Sequence, residues 1–136
     1  MKIAVYGMGR FGSFWAKLMS TKFETAGCSR SPRKMPEGVK QTEKELLGEY
    51  DAVFLCCAIS AVGEVCRNIA PYLKKDAVVI DTCSVKVEPV KQMIAHLPAS
   101  DAQPLDPLFF VAFDQRISPA AVRSSRSRIC QTMKKV

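Results

Sequence analysis

Short apolar runs alternate with amphipathic stretches along most of the chain, and the apolar runs predict buried strands. These runs cover residues 2–6, 23–28, 51–59, 77–81 and 103–110. Strands that alternate with helices in this rhythm are joined by right-handed crossovers into a mainly parallel sheet. The pattern therefore predicts a doubly wound α/β fold, with helices on both faces of the sheet.

The helices are predicted from apolar positions that recur every three or four residues. The first opens at Arg10, and its apolar face consists of Phe11, Phe14, Trp15, Leu18 and Met19. The others are predicted as a brief helical turn over residues 44–50, a helix from an N-cap at Ser60 to about Leu73, and a helix over residues 88–96.

The domain organisation follows from the length and from the point where this rhythm fades. The chain has 136 residues, the length of one domain. Residues 1–110 are predicted to form the α/β domain, and residues 111–136 a divergent extension with a short helix from Ser118 and a last strand at residues 128–133. No apolar run is long enough to span a bilayer and the start lacks a signal-peptide pattern, so we expect a cytoplasmic location.

Charge and cysteine usage narrow the range of partners. The net charge of +7 favours anionic small molecules as ligands. The basic cluster near the C-terminus has no interleaved aromatic residues and no nucleic-acid motif is present, so nucleic acid is not an expected partner. The six cysteines form no CxxC pair and the one histidine is His96, so we expect reduced core cysteines and no metal site.

The sequence GMGRFG follows the first apolar run and opens the first amphipathic helix. Glycines in the GxGxxG spacing at such a junction are typical of Rossmann-type dinucleotide-binding domains. The first glycine permits a tight turn, the second leaves room for a diphosphate, and the third lets the helix pack closely. The candidate cofactor-binding residues of this loop are Gly7, Met8, Gly9, Arg10, Phe11 and Gly12.

The stretch CSRSPRK, residues 28–34, follows the second predicted strand, where the adenosine ribose of a dinucleotide is bound. A carboxylate there would accept hydrogen bonds from the ribose hydroxyls and repel a 2′-phosphate, but this stretch contains no acidic residue. It offers hydroxyl groups and positive charge instead, from Ser29, Arg30, Ser31 and Arg33. The predicted cofactor is therefore NADP(H) and not NAD(H).

Two further predicted strands end at the same carboxyl edge of the sheet. Cys57 and Ala58 end one strand, and the run DTCSVK, residues 81–86, follows the next. Open α/β sheets bind ligands at this carboxyl edge. We therefore expect Cys57 and Ala58 to contact the cofactor, and Ser84 and Lys86 to meet the nicotinamide and an anionic substrate. An ordinary strand-to-helix turn with a capping serine is the alternative.

These motifs together resemble the prephenate/arogenate dehydrogenase family. The resemblance covers residues 1–110 and rests on GMGRFG, CAISAVGEV, IAPYLKKDAVVIDTCSVK and the later DPLF. It implies oxidative decarboxylation of prephenate or arogenate in tyrosine biosynthesis, with hydride passing to a nicotinamide cofactor. It also implies that Ser84 helps to hold a catalytic histidine and the substrate, with Lys86 as its companion in the motif.

The chain departs from that family pattern at two places. Asp106 stands where the family has its histidine, and an aspartate has a lower pKa and a shorter reach, so we expect weakened catalysis. The helical domain through which family members dimerise is expected to be absent from this chain. A homodimer would then form through an exposed sheet edge or the C-terminal residues.

Two other interpretations stay open. A different small NADP-dependent reductase, acting on pyrroline carboxylates, ketopantoate or deazaflavins, would share the Ser-Arg cofactor loop but not the SVK run. A non-catalytic NADP(H)-binding module would account for the altered histidine position. Turnover assays with prephenate and arogenate, beside titration with NADPH, distinguish the three.

Overall fold

The computed structural model contains one parallel sheet of five strands and describes residues 1–75 and 77–98. The strands are β1 (Lys2–Tyr6), β2 (Glu24–Cys28), β3 (Val39–Thr42), β4 (Ala52–Leu55) and β5 (Val78–Asp81). The α-helices are α1 (Arg10–Ser20), α2 (Val62–Ile69) and α3 (Val87–His96). The predictions at residues 103–110 and 111–136, and at Asp106, lie outside the described residues.

The strand order β3-β2-β1-β4-β5 puts β1 at the centre of the described sheet. The chain passes from β1 to β2 on one side and later returns to β4 on the other. Tyr6, the last residue of β1, pairs with Cys28 of β2 and Leu55 of β4. Such a reversal leaves a crevice at the carboxyl ends of the strands, where ligands of open α/β sheets bind.

Alternate residues of β1 enter two separate cores, one on each face of the sheet. Ile3 and Val5 pack with Ala16 of α1. Ala4 and Tyr6 pack in the opposite cluster, which contains the buried side of α2. Each fully buried aliphatic side chain contributes about 1.5 to 3 kcal/mol relative to exposure. The predicted doubly wound α/β fold of the Rossmann type is confirmed.

The edge strand β3 was not expected from the sequence pattern. Its sequence VKQT has only two buried residues, Val39 and Thr42, at its two ends. An edge strand with polar residues at its centre lacks the apolar run by which a buried strand is recognised. The strand predicted over residues 51–59 is likewise shorter, since regular pairing ends at Leu55.

The prediction of an N-cap at Ser60 is wrong. A 3₁₀ turn, Ile59–Ala61, precedes α2, and neither element has a side-chain cap hydrogen bond. The helix also ends earlier than predicted, at Ile69, and the 3₁₀ turn Ala70–Tyr72 follows. Pro71 in that turn has no N–H group to continue the α-helical hydrogen bonds. The other two helical predictions agree with the 3₁₀ helix Lys44–Glu49 and with α3.

Helix α1 buries two small residues and one methionine and leaves part of its aromatic face exposed. The residues it buries are Gly12, Ala16 and Met19. Phe14, which was predicted to belong to the buried face, is 62% exposed. Close packing of α1 on the sheet needs small side chains, so the aromatic ones lie at the border. Phe11 stacks on Trp15 there, with ring centroids 6.0 Å apart.

Candidate cofactor site

The glycine loop joins β1 to α1 through a turn that larger residues could not adopt. Gly7 has a φ of 103°, in the left-handed region that favours glycine, and its N–H group donates to the Cys28 carbonyl oxygen at 2.9 Å. A Cβ atom on Gly7 would collide with the backbone oxygen of Cys56. A Cβ atom on Gly12 would collide in the same way with the backbone oxygen of Gly7. These two glycines are therefore required by packing.

Gly9 differs from its two neighbours because packing does not require it. Its φ of −74° suits any residue, and a Cβ atom built there meets nothing within 4 Å among the described residues. The position therefore faces open space at the start of α1. A ligand that approaches the backbone closely would need this space.

The first turn of α1 is free to bind an anion. Gly9 is the N-cap residue, so no side chain caps the helix, and the first turn has no acidic residue. The first N–H groups of a helix have no partner within the helix, and the helix dipole favours negative charge beside them. Together with the space at Gly9, this arrangement fits a dinucleotide diphosphate.

The remaining predicted residues of the loop and of β4 lie around this turn. Met8 is buried in the core beneath α1, whereas Arg10 and Phe11 are exposed. Cys57 and Ala58 follow β4, the strand that pairs with β1, and are half-buried and exposed, respectively. The structure thus brings the ends of β1 and β4 together, as expected for strands that share a ligand.

A cavity of about 440 Å³ lies beyond the carboxyl ends of β2 and β3. Ser29, Arg30 and Ser31 line it, whereas Arg33 is exposed and is not part of this lining. The Arg30 guanidinium lies 3.7 Å from a carboxylate oxygen of Glu64 on α2, and both side chains are largely exposed. Arg30 therefore has a weak, solvent-screened partner across the crevice.

The sequence did not identify the lining residues that come from β3 and the turn after it. Gln41 and Thr42 end β3, and Lys44 begins the 3₁₀ helix that follows. They were missed because β3 itself was not predicted. Only the pairing of Thr42 with Cys28 in the sheet brings them opposite the Ser-Arg-Ser stretch.

The cysteines near the site are protonated at neutral pH. Burial, together with the nearby carboxylates of Glu45 and Glu43, raises the pKa of Cys28 to about 11. Burial likewise raises the pKa of Cys56 and of Cys83 to about 12. Such thiols are poor nucleophiles. The five cysteines in the described residues are all free.

The turn after β5 is held by a buried ion pair. Asp81 is 2% exposed, and one of its carboxylate oxygens accepts a hydrogen bond from Lys86 Nζ at 2.9 Å. The other accepts one from the Cys83 N–H group at 3.0 Å. The Thr82 hydroxyl donates to the Leu55 carbonyl oxygen at 2.8 Å, which ties the turn to β4. Ser84 is exposed at the tip of this turn.

The Lys86 ammonium group contacts Asp81 in this structure, and its predicted contact with an anionic substrate stays a prediction. Lys86 Nζ also donates to the Asp81 backbone oxygen at 3.1 Å, so the ammonium group is directed into the turn. Because the Asp81 carboxylate neutralises it, little net positive charge is left for a substrate. These contacts tie Lys86 to the start of the turn that contains Ser84.

Among residues 1–75 and 77–98, no three His, Cys, Asp or Glu side chains are arranged to hold a metal ion. No helix in the same ranges has the length and apolar character needed to cross a membrane.

Residues 25–109 match the family described as the nucleotide-binding domain of prephenate dehydrogenase. That segment is well over half of the chain and includes the DTCSVK turn and all the cavity residues except Tyr6. The chain belongs to this family. The family predicted from the sequence is thus confirmed. The glycine loop precedes the matched segment, so its role is argued from its own geometry.

Relatives of the family agree with this assignment. Cyclohexadienyl dehydrogenase of Zymomonas mobilis is 31% identical, and the match covers 78% of this chain and 40% of that protein. Arogenate dehydrogenase of Synechocystis is 25% identical, with a TM-score of 0.58 over 71% of this chain and 39% of that one. The chain therefore spans about two fifths of the length of these relatives.

The same fold occurs in prephenate dehydrogenase of Aquifex aeolicus, solved with hydroxyphenyl propionate and NAD⁺. The TM-score is 0.58 and the identity 21%, over 74% of this chain and 39% of that chain. At this identity the similarity shows the fold alone. The family match, in contrast, identifies the described α/β unit as a nucleotide-binding domain of the prephenate dehydrogenase type.

Proposed function

We propose that this domain binds NADP(H) and serves an oxidoreductase that acts on prephenate or arogenate. The observation that carries the proposal is the open, uncapped start of α1 at Gly9, beside a cavity lined by Ser29, Arg30 and Ser31. When bound, the nicotinamide ring supplies the chemistry of hydride acceptance. The described part of the chain supplies position and charge.

The two phosphate groups of this proposal have separate sites. The diphosphate lies at the first turn of α1, where Gly9 leaves space and the first backbone N–H groups donate. The 2′-phosphate lies at the end of β2, where Ser29 and Ser31 donate hydroxyl hydrogen bonds and Arg30 forms a charge-assisted one. No carboxylate occupies residues 28–34, and this absence supports NADP(H) over NAD(H).

We propose that the substrate binds at the carboxyl end of β5. Ser84, exposed at the tip of the turn, orients the substrate, and the Asp81–Lys86 pair holds that turn in place. Asp106 is proposed to stand in for the family histidine as the proton acceptor. The reaction is hydride transfer with loss of carbon dioxide, as part of tyrosine biosynthesis. The free cysteines fit a reducing location such as the cytoplasm.

Substitution of Arg30 tests the choice of cofactor. Arg30→Ala removes the charge-assisted hydrogen bond and should lower the affinity for NADPH by about 10-fold to 100-fold. The affinity for NADH should change by less than about threefold. Calorimetric titration of both cofactors provides the measurement. Lys91→Ala is the matched control, because Lys91 is an exposed cation on α3. Equal losses for NADPH and NADH in the Arg30 variant would contradict the assignment.

A non-catalytic NADP(H)-binding module is the second candidate. Two observations favour it: Asp106 replaces the histidine of the family pattern, and the Lys86 charge is neutralised by Asp81. NADPH binding without turnover of prephenate or arogenate would support the module. Asp106→His then shows whether this one position limits activity, since a gain of turnover in that variant would favour the enzyme.

A further inference from the structure

One residue that lines the 440 Å³ cavity has a buried hydroxyl group without a hydrogen-bond partner among the described residues. Thr42, the last residue of β3, is 6% exposed, and its hydroxyl oxygen has no hydrogen-bond partner among the described residues. A buried hydroxyl without a partner costs free energy, so such groups are rare unless a ligand completes them. Thr42 lines the 440 Å³ cavity, where a ligand can do so.

The charges around the cavity indicate which part of a dinucleotide lies beside Thr42. On the β2 side, Arg30 favours a phosphate group. On the β3 side, Glu43, Lys44 and Glu45 line the cavity, and Lys44 Nζ lies 3.8 Å from a Glu45 carboxylate oxygen, so the net charge of these three residues is negative. Neighbouring carboxylates repel a phosphate. The β3 side therefore suits the uncharged base and not the 2′-phosphate.

The chemistry of adenine matches a hydroxyl group at this position. The edges of adenine carry ring nitrogens that accept hydrogen bonds and an amino group that donates them. A threonine hydroxyl can donate and accept. Because the Thr42 oxygen is covered in the described structure, the side chain must turn about its Cα–Cβ bond to reach the base, a change between staggered rotamers.

We propose that Thr42 binds the adenine base of the dinucleotide through its hydroxyl group. This proposal rests on the proposed function, because it requires a dinucleotide in the crevice. It adds a residue outside the glycine loop and the Ser-Arg-Ser stretch. It also separates the cavity into a phosphate side at β2 and a base side at β3.

The test compares Thr42→Val, which keeps the shape and removes the hydroxyl, with Thr42→Ser, which keeps the hydroxyl. Affinities for NADPH, NADH and ADP are measured by calorimetry, since all three contain adenine and only NADPH carries the 2′-phosphate. Thr42→Val should weaken all three by a similar factor, about fivefold to tenfold, and Thr42→Ser should bind as the wild type does. The melting temperature without ligand should rise or stay equal in Thr42→Val, because the unpaired hydroxyl is gone.

Several outcomes would overturn the inference. One is a folded Thr42→Val variant that binds NADPH within twofold of the wild type. Another is a variant that loses affinity for NADPH but not for NADH or ADP, which would indicate that the hydroxyl binds the 2′-phosphate. If Thr42→Val does not fold, the same comparison is made with Thr42→Ala. A wild-type chain that binds no dinucleotide overturns the proposed function as well, whereas tight wild-type binding with an unaffected variant overturns only the role of Thr42.

Discussion

At the carboxyl end of β1 the chain leaves backbone donors and open space, whereas at the carboxyl end of β5 its charged groups are satisfied within the protein. The start of α1 has no side-chain cap and Gly9 meets nothing nearby. In the DTCSVK turn, Asp81 accepts hydrogen bonds from Lys86 and Cys83 and is almost fully buried. The first region leaves groups that a ligand could contact, whereas the charged groups of the second contact each other.

The comparison separates two kinds of motif that look alike in a sequence. Both GMGRFG and DTCSVK follow a buried strand and precede a helix. In the first, packing among the described residues does not require a glycine at position 9. In the second, each charged residue has a partner within the turn, so the turn is stabilised whether or not its serine contacts a ligand.

The largest effect is expected from breaking the buried ion pair. Lys86→Met leaves the Asp81 carboxylate buried without its cation and should lower the free energy of unfolding by about 3 kcal/mol. Urea denaturation measures the loss, and Lys91→Met is the control because Lys91 is exposed on the adjoining helix α3. The double variant Asp81→Asn with Lys86→Met should recover part of the stability. A loss below about 1 kcal/mol would mean that the turn is not held by this pair.

The next largest effect is expected at the start of α1, beside Gly9. Gly9→Val fills the space at the start of α1 and should weaken NADPH on the order of 100-fold, about 2.7 kcal/mol, while the melting temperature changes little. Gly12→Ala provides the contrast, because its Cβ atom would collide with the Gly7 backbone and should destabilise the fold itself. Calorimetry and thermal melting separate the two. Normal NADPH binding by Gly9→Val would place the diphosphate elsewhere.

The smallest effect concerns the exposed ion pair at the cofactor end. Glu64→Gln removes the carboxylate 3.7 Å from Arg30, and both side chains are more than half exposed. The free energy of unfolding should therefore change by less than about 0.5 kcal/mol. NADPH should bind about twofold more tightly, because Arg30 no longer has a competing partner. Weaker NADPH binding would instead indicate that Glu64 holds Arg30 in its binding position.

Local sequence signals were sufficient for the tight turn of the glycine loop and for most of the fold. Glycine spacing and the apolar runs depend on neighbouring residues, so β1, α1, β4 and β5 were predicted near their observed positions. Strand β3 was missed because only its end residues are buried. Its pairing with β2 then brought Thr42 to the cavity, which no local pattern indicates. The neutralisation of Lys86 was missed because it depends on how the turn closes on Asp81.

Calorimetric titration of the purified chain with NADPH, and in parallel with NADH, at moderate salt is the most direct measurement of the central claim. The account predicts that both dinucleotides bind, because they share the diphosphate that lies at Gly9. NADPH should bind at least tenfold more tightly, because only its 2′-phosphate reaches Arg30. No heat with either cofactor, or tighter binding of NADH, would contradict the account.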